Sequence, residues 1–246
     1  MVNKVAPIDN EYRNFSMEVL AGEEREEYTV TVKHNGASLT FDFAKVYFNP
    51  RLSTEHSRVT SMVERGDVML DVFAGVGPFS VACAKQGKAL RVYANDLNPD
   101  SFLWLKHNAE ANKVTGRMEL YNLDGREFIK TAVKEVILKC LRQHVQKDES
   151  EKNEEMGSLH IVMNLPAMAI EFLDAFDGLL SEDTECRVED FPQKLPIWVH
   201  VYGFSAEDDK VDESLNLIIR ILIASRKTCG SYFCALTMCL SISCID

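Results

Sequence analysis

Val68-Met69-Leu70-Asp71-Val72-Phe73-Ala74-Gly75-Val76-Gly77-Pro78-Phe79 is the stretch that decides the fold of this chain. Residues 68–73 form an apolar run of strand length, and Gly75-Val76-Gly77-Pro78 is a glycine-rich turn opening a helix. Glycines there let the backbone approach a ligand closely, and the first turn of the helix points its free N–H groups at it. Working outward, the pattern repeats as strand, helix, strand. Residues 91–97 read as a second strand, 100–113 as a helix, 118–123 as a third strand, 161–165 as a fourth and 197–202 as a fifth. Helices fill the gaps, so the chain is expected to be α/β, with a doubly wound, mostly parallel sheet.

Upstream, residues 1–50 read as a small α+β segment. Residues 28–33 alternate as a strand, His34-Asn35-Gly36 offers a type I′ hairpin turn, and residues 38–43 return. Pro50 stops any further strand, and residues 51–65 read as a helix leading into a main domain over 51–246. Residues 142–157 carry QKDESEKNEE and read as an exposed, flexible insertion. Residues 208–225 read as a helix, followed by an apolar, strand-like tail.

The 246 residues, 46% hydrophobic, suit one large domain or a main domain plus a small one. No run reaches the ~20 apolar residues of a membrane helix, and the first residues lack the apolar core of a secretory signal. Seven cysteines without such a signal read as reduced thiols in a cytosol-like compartment. Cys229, Cys234, Cys239 and Cys244 recur every five residues, at the edge of the C-x₂₋₄-C spacing zinc prefers, and read as structural or incidental thiols; no metal is expected. The net charge of −11 runs against the basic character usual for nucleic-acid binders, so any such contact needs a local basic patch or a further domain.

Three candidate ligand contacts fall at the carboxyl ends of the strands, where ligands of such sheets bind. After Gly75 comes Asn95-Asp96-Leu97-Asn98-Pro99, whose Asp96 is placed to accept from ribose hydroxyls. Asn122-Leu123-Asp124-Gly125 ends the third strand, placed to meet an adenine amino group. The third glycine of a dinucleotide fingerprint is missing, so a zwitterionic nucleoside with a sulfonium centre fits better than a pyrophosphate. Met163-Asn164-Leu165-Pro166-Ala167 lacks the paired proline and aromatic that clamp an exocyclic amine, which favours a ring-nitrogen target. On the residues alone, Asn164 also reads as a helix cap, Glu55 as a capping-box carboxylate, Arg13 as a surface ion-pair partner and His56 as a packed or surface histidine.

Tyr12-Arg13-x-Phe15, Asn49-Pro50-Arg51-Leu52-Ser53-Thr54-Glu55-His56, the Phe73 to Phe79 turn, Asn95-Asp96-Leu97-Asn98-Pro99 and Asn164-Leu165-Pro166 together resemble the archaeal–eukaryotic tRNA (guanine-37 N1)-methyltransferase family. The likeness covers residues 1–225. It implies a Rossmann-like class I methyltransferase fold, S-adenosyl-L-methionine as cofactor and the tRNA anticodon loop as partner. Methyl transfer to N1 of guanosine-37 would also be the first step towards wybutosine in tRNA-Phe. The resemblance makes Glu55 the general base, Arg13 the donor to guanine O6 and Asn164 the holder of the base edge. It puts His56, Gly75, Asp96, Leu97, Asp124, Gly125 and Asn164 at the cofactor. It further implies a monomer without membrane attachment, in the cytoplasm and by family resemblance also the mitochondrial matrix and nucleus.

Two departures from the family pattern are expected to matter. The chain begins after the family's separate tRNA-gripping domain, and the tail after Arg226-Lys227-Thr228 does not follow the family's closing strands. Two rival readings follow: a tRNA-wybutosine aminocarboxypropyl transferase, or a catalytically silent truncated form that only binds cofactor or a partner.

Overall fold

The computed structural model describes residues 2–4, 17–21, 28–145, 157–166, 168–180, 196–203 and 236–242, with backbone only for 2–4, 17, 141, 143–145 and 236–242. Arg13, the helix expected over 208–225, most of the charged 142–157 segment and the rest of the apolar tail lie outside them. Strand β1 (Val2–Lys4) pairs antiparallel with β2 (Met17–Val19). Strands β3 (Thr29–His34) and β4 (Ala37–Asp42) form the expected hairpin. Asn35 (φ 48) and Gly36 (φ 85) both take the left-handed conformation that a type I′ turn demands, which explains the Asn-Gly pair there.

The main sheet has six strands: β5 (Val68–Asp71), β6 (Arg91–Asn95), β7 (Met118–Tyr121), β8 (Leu159–Met163), β9 (Ile197–Gly203) and β10 (Leu236–Ile242). Their order is β10-β9-β8-β5-β6-β7, and every pairing is parallel. The chain builds outward from β5 on one side, then crosses back to build on the other, so the order reverses between β5 and β8.

Strands β5, β6 and β7 each end two residues earlier than the sequence pattern suggests, and Asn95 accounts for the splaying at their ends. Its buried amide donates to Val72 O at 3.1 Å and to Leu123 O at 3.0 Å, and its Oδ1 accepts from Leu123 N at 2.9 Å. A side chain has taken over the bonds that continued strands would make to each other. β8 spans 159–163 instead of 161–165, so Leu165 already belongs to the loop beyond the strand.

Helices cover both faces. Helix α1 (Ser53–Met62) follows a short 3₁₀ turn over Pro50–Leu52, which Asn49 caps by accepting from Arg51 N. Helix α2 (Ser80–Gln86) stops at Gly87 in the left-handed conformation. Helix α3 (Pro99–Ala111) starts with Asn98 as cap and proline at its first position, both standard starts. Helix α4 (Gly125–Phe128) runs through a π turn, Ile129–Val133, into α5 (Lys134–Val145), so residues 142–145 of the charged stretch are helical.

Alternation along β5 sends Met69 into one apolar core and Val68 and Leu70 into the other, as expected of a strand buried on both faces. The hairpin contributes Ala37, Leu39 and Phe41 to the first of these cores. Asn108 of α3 and Asn112, the residue that caps the end of that helix, join the hairpin to the body. Asn108 accepts from Thr40 N at 2.8 Å and donates to Thr40 O at 3.0 Å, and Asn112 does the same to Ser38 at 3.0 and 2.7 Å. The i, i+4 spacing on the helix matches the i, i+2 spacing on the strand, so β4 meets its would-be strand partner as two side-chain amides. Among the described residues, no helix is long and apolar enough to cross a membrane.

Candidate active site

A cleft of about 310 Å³ opens over the carboxyl ends of β5, β6 and β8. Its floor is the turn Ala74–Gly75 and Pro78–Phe79. One wall is Asp96, Leu97 and Asn98, and another is Phe73, Asp124, Gly125 and Phe172. Asn164, Leu165 and Pro166 close a third side. Tyr47, Phe48, Asn49, Leu52 and His56 come in from the segment between hairpin and α1.

The glycine turn owes its shape to Asp96. Gly75 N donates to Asp96 Oδ2 at 2.7 Å, and Asn98 N donates to Asp96 Oδ1 at 2.9 Å. Burial still wins over these bonds and pushes the Asp96 carboxyl up to about 6. Asp124 caps α4 by accepting from Arg126 N and Glu127 N. A side chain at Gly125 would run into Phe73 and Phe172, with a Cβ only 2.7 and 2.9 Å from their rings, so glycine keeps this wall thin. Those two rings meet edge to face with centroids 4.9 Å apart, and the Arg126 guanidinium lies 4.3 Å over Phe172.

Two polar atoms from residues lining the cleft are shielded from solvent without any hydrogen-bond partner: His56 Nε2 and Asn164 Oδ1. Orphans of this kind are costly and uncommon in native structures. Asn164 therefore caps no helix through Oδ1. His56 is no surface residue: it is packed in the interior at the edge of the cleft. Its Nδ1 lies 2.9 Å from His34 Nε2, and its ring meets Phe79 edge-on at 4.4 Å. Burial, with neighbouring His34 adding to it, lowers His56 to about 3, so it is neutral at physiological pH.

Of the expected site residues, His56, Gly75, Asp96, Leu97, Asp124, Gly125 and Asn164 come together around this one cleft. Glu55 does not line it. Its carboxylate accepts from Arg58 Nε at 2.8 Å, from the second Arg58 nitrogen at 2.6 Å and from Tyr202 Oη at 2.7 Å. The Tyr202 ring packs 5.9 Å from Phe79, so Glu55 sits one layer behind the cleft. No capping box forms, since Leu52 at the start of α1 makes no side-chain cap bond. Sequence reading missed Arg58, Tyr202, His34 and Asn35. Arg58 had a signal, its i+3 spacing from Glu55 on a helix. Tyr202, 147 residues from Glu55, had none.

Asp71, just before the turn, is fully buried. Burial, with the Asp96 charge adding to it, pushes it from 3.8 up to about 7. The folded protein thus holds a proton that the unfolded chain loses above pH 4, and stability drains away as pH rises from about 4 to 7. Asp71→Asn removes that slope. Urea unfolding should show the variant gaining roughly 2–4 kcal/mol relative to wild type between pH 4 and pH 8. An identical difference at both pH values would refute the protonated state.

Sheet order and cleft position define a Rossmann-like α/β protein with the class I methyltransferase fold. Residues 29–145 match the TRM5/TYW2 methyltransferase domain. The tRNA (guanine(37)-N(1))-methyltransferase of Danio rerio is 51% identical over 209 residues, 85% of this chain and 39% of that protein. The Homo sapiens enzyme of the same name is 46% identical over 230 residues, 94% of this chain and 42% of its own length. Among solved structures, Trm5b from Pyrococcus abyssi superposes with a TM-score of 0.60 at 32% identity, covering 91% of this chain and 54% of that one. The aTrm5 chain in a complex with tRNALeu gives 0.52 at 33% identity, covering 70% and 43%. The chain belongs to the TRM5/TYW2 methyltransferase domain family. It spans about two fifths of the length of the curated relatives it matches.

Proposed function

We propose that this chain forms the cofactor-binding and methyl-transferring part of an enzyme that methylates N1 of guanosine-37 in tRNA. The observation that carries the proposal is one cleft at the reversal of strand order, lined by Asp96, His56 and Asn164, the last two each with a buried polar atom that has no hydrogen-bond partner. The names of relatives near 50% identity point the same way.

The residues present fit S-adenosyl-L-methionine. Asp96 offers a carboxylate to ribose hydroxyls, the Leu97 and Phe73 walls and the thin Gly125 edge leave a slot for a flat base, and Asp124 stands at its rim. The Gly75 turn lies under the methionine portion. When bound, the cofactor supplies an electrophilic methyl group on its sulfonium. Everything else falls to the protein. Guanine N1 carries a proton, and its removal leaves negative charge on O6. Asn164 lines the cleft to hold the base edge. Glu55 is the proton acceptor, and it must release Tyr202 or the Arg58 fork to turn towards the cleft. Arg13, outside the described residues, is the donor to O6. The anticodon loop of tRNA is the substrate surface.

An unmodified tRNA transcript with G37, incubated with protein and cofactor, tests this. Nucleoside mass analysis should show a single methyl gained at N1 of G37, and none with adenosine at position 37. An added aminocarboxypropyl group would assign the sister activity instead. Cofactor binding without any transfer would reduce the chain to a silent binding domain.

A further inference from the structure

The hydrogen bonds behind His56 decide which of its ring nitrogens carries the proton. Asn35 Nδ2 donates to Ser53 O at 3.3 Å, and a carbonyl only accepts, so the orientation of the Asn35 amide is fixed. The same Nδ2 lies 3.4 Å from His34 Nε2. A protonated Nε2 on His34 would set N–H against N–H, so this nitrogen is bare and accepts. His56 Nδ1, 2.9 Å from the same His34 nitrogen, must then be the one that carries hydrogen and donates. A neutral imidazole has one N–H only, which leaves His56 Nε2 as a lone pair. That atom is buried, unpartnered and on a residue lining the cleft.

We infer that His34 and Asn35 are positioning residues that lock His56 as an acceptor for the α-ammonium of the cofactor's amino-acid portion. The inference rests on the cofactor reading above. Of that ligand's donors, Asp96 takes the ribose hydroxyls and the Asp124–Gly125 rim takes the adenine amine. The ammonium is the donor that remains, and the His56 ring sits against Phe79 at the glycine-turn end where the methionine portion lies. The arrangement follows a general pattern, in which the partner of one imidazole nitrogen fixes what the other offers.

Histidine-selective ¹⁵N labelling of the free chain and a long-range ¹H–¹⁵N correlation read the tautomer directly, with the His56 signals assigned by their loss in His56→Phe. The expected pattern is a protonated Nδ1 and a bare Nε2. S-adenosylhomocysteine should shift the Nε2 signal. 5′-Methylthioadenosine, the same nucleoside without the amino-acid portion that carries the ammonium, should leave it in place. Asn35→Asp keeps a residue suited to the left-handed turn but replaces the donor by an acceptor. His34 then carries hydrogen on Nε2, His56 switches to Nε2–H, and S-adenosylhomocysteine binding should weaken about tenfold. Binding of 5′-methylthioadenosine should stay within about twofold. An Nε2–H tautomer in the free wild type, or equal weakening of both ligands, overturns the inference. If neither nucleoside binds wild type, the cofactor reading itself fails, whichever tautomer the free protein shows.

Discussion

Glu55→Gln should cut single-turnover methyl transfer to G37 by about a hundredfold or more, the usual range for losing a general base. S-adenosyl-L-methionine binding should stay within about twofold, because Glu55 does not line the cleft. Glutamine keeps the shape of the side chain and can still accept from Tyr202, but its amide cannot take a proton from guanine. It also turns an N–H towards the Arg58 fork, so a purely structural tether would fail in the same variant. Tyr202→Phe separates the two roles. It removes the 2.7 Å Tyr202 bond to Glu55 Oε1 and keeps both Arg58 bonds, one of them to that same oxygen. If Glu55 is the base, this variant keeps turning over; if Glu55 only ties α1 to β9, it repeats the loss seen with glutamine. Unchanged turnover in Glu55→Gln would remove Glu55 from the chemistry.

Gly77→Ala should destabilise the fold by roughly 3–5 kcal/mol, adding backbone strain to overpacking. Gly77 has φ 98, where a side chain is strained whatever the space, and its Cβ would collide with Val81 and come within 3.0 Å of Leu105. Both are fully buried, so neither can step aside. Gly75→Ala is the contrast. At φ 55 it pays strain alone, about 1–2 kcal/mol, since the nearest atom to its Cβ is Tyr47 O at 3.9 Å. These glycines, with one residue between them, thus answer different needs: Gly77 lets α2 and α3 close on the turn, whereas Gly75 supplies the left-handed backbone of the cleft floor. Equal urea midpoints for the two variants would contradict this division.

Much of this was legible in the sequence because its signals are local. Asn35-Gly36 dictates its hairpin, Asn98-Pro99 starts α3, and the apolar runs mark strands buried on both faces. Six of the named cleft residues, Gly75, Asp96, Leu97, Asp124, Gly125 and Asn164, follow from their position at strand or turn ends, since parallel topology collects those ends on one side; His56, inside α1, is expected from the family resemblance alone. The rest depends on side chains reaching across the chain. Asn95 shortens strands that periodicity would extend, because an amide can replace a ladder bond without leaving any trace in hydropathy. Tyr202 and Arg58 hold Glu55 away from the cleft, although its sequence motif places it beside His56, which lines the cleft. The sequence pattern shows that residue 55 is at the right place on α1, but only packing decides which way its carboxylate points.

Asn108 donates not only to Thr40 O but also to Val76 O, at 3.0 Å each. One amide group therefore grips the hairpin and the glycine loop at the floor of the cleft at once, from a helix that carries both. Displacing the hairpin by even an ångström strains the loop through two short bonds in series, with no need for the apolar interior to repack. Mechanically, the outer ribbon and the floor of the cleft are a single part.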